Sequence, residues 1–222
     1  MQTRILGNGV YSLGEAAMLT GLRTARVGEW FRGRTAGPNA KPVFKSEYAP
    51  VRGDVAISFL DLVELFIAGQ LREHGVSLQS LRRVHSCLEA DWGTKHPFCR
   101  REIRTDGKRV FICQLDERER GEVTDVLTRQ RVFETVLLPF LKKIDYDNVT
   151  SLARKWSVAP MVVIDPTIGF GKPVVEPVGI STKVLSAAYH ANGREIAKVA
   201  RWYDVNAKHV LAAVAFESRL VA

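Results

Sequence analysis

Several things are scarce in this chain, and each scarcity narrows what it can be. No apolar run approaches the roughly 18 residues that a membrane-spanning helix needs, so no membrane partner is expected. The opening MQTRILGNGVY has no apolar core of the kind a secretory leader carries, so a cytoplasmic location is expected. There are only 3 cysteines, an odd number without paired spacing. Cys87, Cys99 and Cys113 therefore read as free thiols rather than a disulfide framework. Phosphate-cradling GxxxxGK[ST] and GxGxxG patterns are missing, as are HExxH and GxSxG. His96 and Cys99 stand in His-x-x-Cys spacing, but no second pair completes a zinc site. The pairs Asp61 with Glu64 and Asp145 with Asp147 read as a solvated helix face and a turn. These gaps argue against an enzyme, a cofactor and a bound metal.

Acidic residues are also in deficit: 24 against 32 Lys and Arg, a formal charge of +8. That balance favours a polyanionic partner, nucleic acid first. The 46% hydrophobic content suffices for a packed core, and 222 residues allow one large domain or two small ones.

The first strong pattern is YSLGEAAMLTGLRTARVGEWFR, from Tyr11 to Arg32. Ser12 and Glu15 have capping-box spacing at the start of a helix over about 13–19. Gly21 ends that helix, and a second begins near Thr24 with Val27, Trp30 and Phe31 on one side. Two short helices with a tight Gly-containing turn and a basic second helix fit a DNA-reading helix-turn-helix. They equally fit an ordinary helical hairpin with a solvated basic face. Arg23, Thr24, Arg26 and Arg32 are the candidates for the groove. A Gly- and Pro-punctuated stretch follows, with short strands expected near Val43–Phe44 and 55–57. Its Arg34, Lys41, Lys45 and Arg52 are candidates for phosphates, as in a wing.

SFLDLVELFIAGQLRE, capped by Ser58 with Asp61 in its first turn, is the clearest helix. Ser77 caps another, over about 78–90, with Leu78, Leu81, Val84 and Leu88 inward; His85 reads as a surface residue. A β-hairpin is then expected, with EIRT and KRVFICQ flanking Asp106-Gly107. Val132, Val136, Leu137, Phe140, Leu141 and Ile144 predict an amphipathic helix. Beyond Ser157 come an apolar strand at 161–164 and a short one at 174–175, then three helices. The last two form REIAKVARWYDVNAKHVLAAVAFE, a second candidate helix-turn-helix. Arg194, Asn206, Lys208 and His209 are its candidate contacts.

The Tyr11–Arg32 stretch together with ISFLDLVELFIAGQLREHGVSLQSLRRV resembles the winged helix-turn-helix of the MerR type. The long dimerising helix and effector domain of such regulators do not follow. DPTIGFGKPVVEPVGIST and REIAKVARWYDVNAKHVLAAVAFE are similar to a small helical domain of VapB-type antitoxins. Taken together the resemblance covers nearly the whole chain. It implies a homodimeric antitoxin that binds double-stranded operator DNA and holds a PIN-domain ribonuclease toxin inactive. A stand-alone transcription regulator and a protein-interaction adaptor are the alternatives. The expected fold is mainly α: a winged helix-turn-helix over 1–95, a central β-hairpin plus helix over 96–156, and a C-terminal three-helix domain with a second helix-turn-helix over 157–222.

Overall fold

The computed structural model describes residues 7–33, 41–50, 53–105 and 137–221. Helices α1 (Leu13–Thr20), α2 (Thr24–Arg32), α3 (Phe59–Glu73) and α4 (Leu78–Trp92) come first. A 3-10 turn at Pro97–Cys99 and two short helices, α5 (Glu102–Thr105) and α6 (Leu138–Leu141), come next. Strands β1 (Ile144–Tyr146), β2 (Ala153–Ala159), β3 (Val162–Ile164), β4 (Val174–Val175) and β5 (Ile180–Ser181) precede α7 (Thr182–Ala191), α8 (Ile196–Trp202) and α9 (Ala207–Val221).

The five strands form one antiparallel sheet in chain order. The fold is therefore mixed α/β, and the expectation of a mainly α chain with a central β-hairpin is overturned. The physical reason lies in strand length. β3 and β4 fall where apolar strands are expected, but β1 and β5, of three and two residues, are too short to display the period-2 alternation that marks a strand in sequence. The longer β2, ARKWSVA, fully buries only Ala153 and Trp156, so it does not alternate either. Three local expectations change as well. EIRT is helical as α5 rather than a strand, and KRVFICQ lies outside the described residues. Val43–Phe44 is not a strand, and Ile57 makes only a single bridge, to Tyr11. Of the helix expected from Val132, the described part is Leu138–Leu141, and Ile144 opens β1.

The chain divides into two compact units, Tyr11–Ala153 and a second made of residues 1–10 with 154–222. The first is organised around α3. Ser58 Oγ accepts from Asp61 N at 3.1 Å and Asp61 Oδ2 accepts from Ser58 N at 3.0 Å, a reciprocal cap. Past that cap the helix is buried nearly all round, through Leu62, Val63, Leu65, Ile67, Ala68 and Leu71. Gly69 lets Leu22 lie against it: a Cβ there would stand 3.1 Å from Leu22 Cδ2. Phe44 fills the centre, 6.1 Å from Trp30, 5.8 Å from Phe31 and 6.5 Å from Phe98 between ring centroids.

In the second unit β3 and β4 place Val162 opposite Val175, and β4 and β5 place Val175 opposite Ile180. Val175 joins Leu185, Val199, Val210 and Ala213 from α7, α8 and α9 in one buried cluster, onto which Ile180 also packs. At the sequence's Gly-rich IGFGK, Val10 N donates to Phe170 O at 3.3 Å.

Candidate nucleic-acid interface

The helix, turn and helix at the start of the first unit follow from local chemistry. Ser12 and Glu15 cap α1 reciprocally, Glu15 N donating to Ser12 Oγ at 3.2 Å and Ser12 N to Glu15 Oε2 at 2.9 Å. Gly21 ends α1 at φ 74°, a left-handed conformation that costs glycine nothing. Arg23 is the N-cap of α2 and makes no side-chain cap. Val27, Trp30 and Phe31 are buried, so α2 turns its first residues outward: Arg23, Thr24, Ala25 and Arg26 are all exposed. Among the described residues neither Arg23 nor Arg26 has an ion-pair partner, which leaves both charges free for a ligand.

The other predicted residues fare differently. Arg32 is exposed, but its guanidinium lies 3.4 Å from Asp54 Oδ1, so part of its charge is already answered. Lys41 and Lys45 are exposed. Arg34 and Arg52 lie outside the described residues. Sequence reasoning missed Arg82 on α4, whose guanidinium donates to the carbonyls of Lys41 and Pro42. It fixes where the basic stretch rejoins the domain. In the second unit Arg194 and Lys208 are exposed, and Asn206 is the residue before α9. His209 is 5% exposed and turns inward, its Nδ1 accepting from Asn206 N at 3.3 Å.

Beneath α2 lies a polar cluster that the sequence did not announce. Asp61 and Glu64 on α3 are buried rather than solvated, and so are His85 on α4 and His96 beside the 3-10 turn. Glu64 lies between the two histidines, 3.1 Å from His85 Nε2 and 3.4 Å from His96 Nδ1, and accepts from Phe98 N at 3.3 Å. Burial works against charge at each of these groups. At Glu64 the two histidines outweigh it and hold the carboxyl below its usual range. At His85 and His96 Glu64 outweighs it and both imidazoles are raised. Asp61 is different. Burial dominates there and pushes its carboxyl up to about 6, despite bonds from Ser58 N and Glu47 N to Oδ2. Its Oδ1 makes no hydrogen bond, and His96 Nδ1 is 3.9 Å away. The His85 ring stands edge-on to Phe44 at 5.3 Å. Phe44 touches Trp30 and Phe31 in turn, so the cluster supports α2 through one shared aromatic.

Cys99 is a buried free thiol that donates to Leu60 O at 3.1 Å, and burial raises it well above its ordinary value. Cys87 is disulfide-bonded, contrary to the expectation of three free thiols, and Cys113 lies outside the described residues. Among the described residues no group of three or more His, Cys, Asp or Glu is placed to hold a metal ion. None of the described helices is long and apolar enough to cross a membrane.

The second unit carries a recognisable domain: residues 162–216 match a family described as a protein of unknown function, DUF433. Over 188 residues the chain is 24% identical to a Mycobacterium tuberculosis (strain H37Rv) protein named "Putative antitoxin VapB45", covering 77% of this chain and 78% of that protein. It is antitoxin-like in sequence to that extent. A crystal structure of Rv2018 from Mycobacterium tuberculosis shares the fold, with a TM-score of 0.72 and 22% identity over 92% of this chain and 96% of that one.

Proposed function

We propose that this chain is the antitoxin of a type II toxin–antitoxin module in the cytoplasm. In this reading it is not an enzyme. It binds operator DNA as a homodimer, represses its own operon and holds a PIN-domain ribonuclease inactive. The observation that carries the antitoxin role is the likeness to the mycobacterial protein over three-quarters of the chain. The DNA role is supported by the exposed, unpaired Arg23 and Arg26 at the start of α2. Two-fold symmetry suits a protein that reads paired half-sites.

The toxin role is tested by co-purification with the product of the adjacent reading frame. Ribonuclease activity should appear when this chain is removed, and the absence of a stable complex refutes that role. For the operator role, Arg26→Ala should weaken binding and relax base preference at one position, at a cost of about 1–3 kcal/mol. Unchanged affinity and preference would remove Arg26 from the groove. A chain that binds its promoter but no neighbouring toxin is a stand-alone regulator.

A further inference from the structure

The second unit carries an exposed face that the proposed reading does not need. Helices α8 and α9 are joined by a four-residue turn, 203–206, and their buried residues, Val199, Ala200, Val210 and Ala213, face the core. What α8 turns outward is Lys198, Arg201 and Trp202. The start of α9 turns Ala207, Lys208 and Leu211 outward. Trp202 is 60% exposed and Leu211 is 51% exposed, both large apolar side chains left in water. Lys198 Nζ lies 5.2 Å from the Trp202 ring centroid, a cation–π arrangement that orders both side chains. Among the described residues Arg194, Lys198, Arg201 and Lys208 have no ion-pair partner. The nearby acids are Glu195, the N-cap of α8, and Asp204 in the turn. Cations elsewhere do find partners, as Lys155 does with Glu176 at 2.8 Å and Arg32 with Asp54.

We infer that this corner, Lys198, Arg201 and Trp202 on α8 with Lys208 and Leu211 on α9, is a second binding surface for duplex DNA. Charge complementarity selects a polyanion. The division of labour between the helices selects a duplex. When two helices meet through a short turn on DNA, the first crosses the backbone and the second offers its N-terminal residues to the groove. Here the first helix holds two cations one turn apart and an indole N–H, which suits phosphates. The second offers one cation and small or apolar side chains, which can meet thymine methyl groups but supply no bidentate base reading. The contact is therefore largely sequence-independent. It adds to a chain already held on DNA by the first unit, where a weak second contact gains strongly from high effective concentration. His209 contributes by bracing the turn through Asn206 and not by touching DNA.

The test uses the full chain, a labelled promoter duplex and a scrambled duplex of equal length, with anisotropy measured across a salt series. Lys198→Ala with Arg201→Ala should lower the slope of log affinity against log salt by about two, equally on both duplexes. Lys183→Ala, on the exposed start of α7, serves as the control. Far-UV circular dichroism shows whether each variant keeps its fold. An unchanged slope in a folded double variant overturns the inference. So does a double variant that loses its co-purifying protein partner while its slope is unchanged, because the face then binds protein. Arg23→Ala with Arg26→Ala separates the two readings. If that pair leaves the slope alone while the α8 pair lowers it, the first unit's operator role fails and the second surface stands. If wild type binds neither duplex, both fall.

Discussion

Replacing Glu64 with Gln tests whether the buried cluster holds the first unit together. The change keeps the shape and one carbonyl acceptor but removes the charge between His85 Nε2 and His96 Nδ1. Hydrogen bonds to a charged group are worth about 1.5–3 kcal/mol each, and breaking a buried pair costs about 3–5 kcal/mol. The amide preserves part of the bonding, so a loss of about 3 kcal/mol is expected at pH 6, where the histidines are charged. The pH dependence is the sharper signature. Both imidazoles are raised in the folded chain, so their contribution is full below about 6.5, the unfolded value, and fades as pH climbs through the folded values. The lowered Glu64 contributes above its unfolded value of 4.5 and loses that contribution as pH falls through its folded value. Asp61, raised to about 6, is a burden when ionised, so its protonation also favours the folded state as pH drops. Wild-type stability should therefore peak between pH 4.5 and 6.5 and decline at higher pH. Glu89 and Glu47 also face the histidines, at 3.9 and 4.0 Å, and the substitution at Glu64 leaves them in place. The variant should keep a shallow slope from them and from Asp61, and its deficit should narrow as pH rises. Urea unfolding, with deuterium exchange of α3 and α4 peptides as the readout, resolves this unit from the other. Equal stability at pH 6, or a wild-type pH slope surviving in the variant, would refute the account.

Two further outcomes follow from the same core. Asp61→Asn keeps an acceptor for Ser58 N and Glu47 N and removes a carboxyl that burial has raised from its ordinary 3.8 to about 6. It should stabilise the unit above pH 7 by up to roughly 3 kcal/mol, with the gain vanishing near pH 4; a loss at both pH values in urea titrations would contradict it. Phe44→Ala empties a site 2% exposed between Trp30, Phe31, His85 and Phe98, and should cost about 3–5 kcal/mol in unfolding experiments.

Sequence reasoning read best where one residue controls one local event. The Ser12–Glu15 cap, the cap at Ser58, the stop at Gly21 and the inward set Val27, Trp30 and Phe31 all depend on spacings of a few residues. It read worst where partners arrive from far along the chain. Glu64 meets His85 and His96, 21 and 32 residues on, and no local pattern marks that meeting. One signal was available. The helix carrying Asp61 and Glu64 is apolar on so many sides that it has little solvent face for two acids, so they had to be buried with partners. His209 misled in a similar way: its place near a helix start suggests exposure, but the helix packs along that side. The apolar strands β3 and β4 were legible at 161–164 and 174–175, but β1, β2 and β5 were not, so the sheet that joins all five went unread.

The backbone carbonyl of Trp30 accepts from both Val43 N, at 2.7 Å, and Phe44 N, at 3.0 Å, while Gly33 N donates to Glu29 O at 2.9 Å. The chain thus leaves the end of α2 and returns to the same turn of helix, with Arg82 gripping the returning backbone. Closing a connection between two ends held side by side depends only weakly on its length. Doubling its length costs only about 0.6 kcal/mol in closure entropy. The return of the chain is therefore anchored by α2 and α4 together, the first through the Trp30 carbonyl and the second through Arg82.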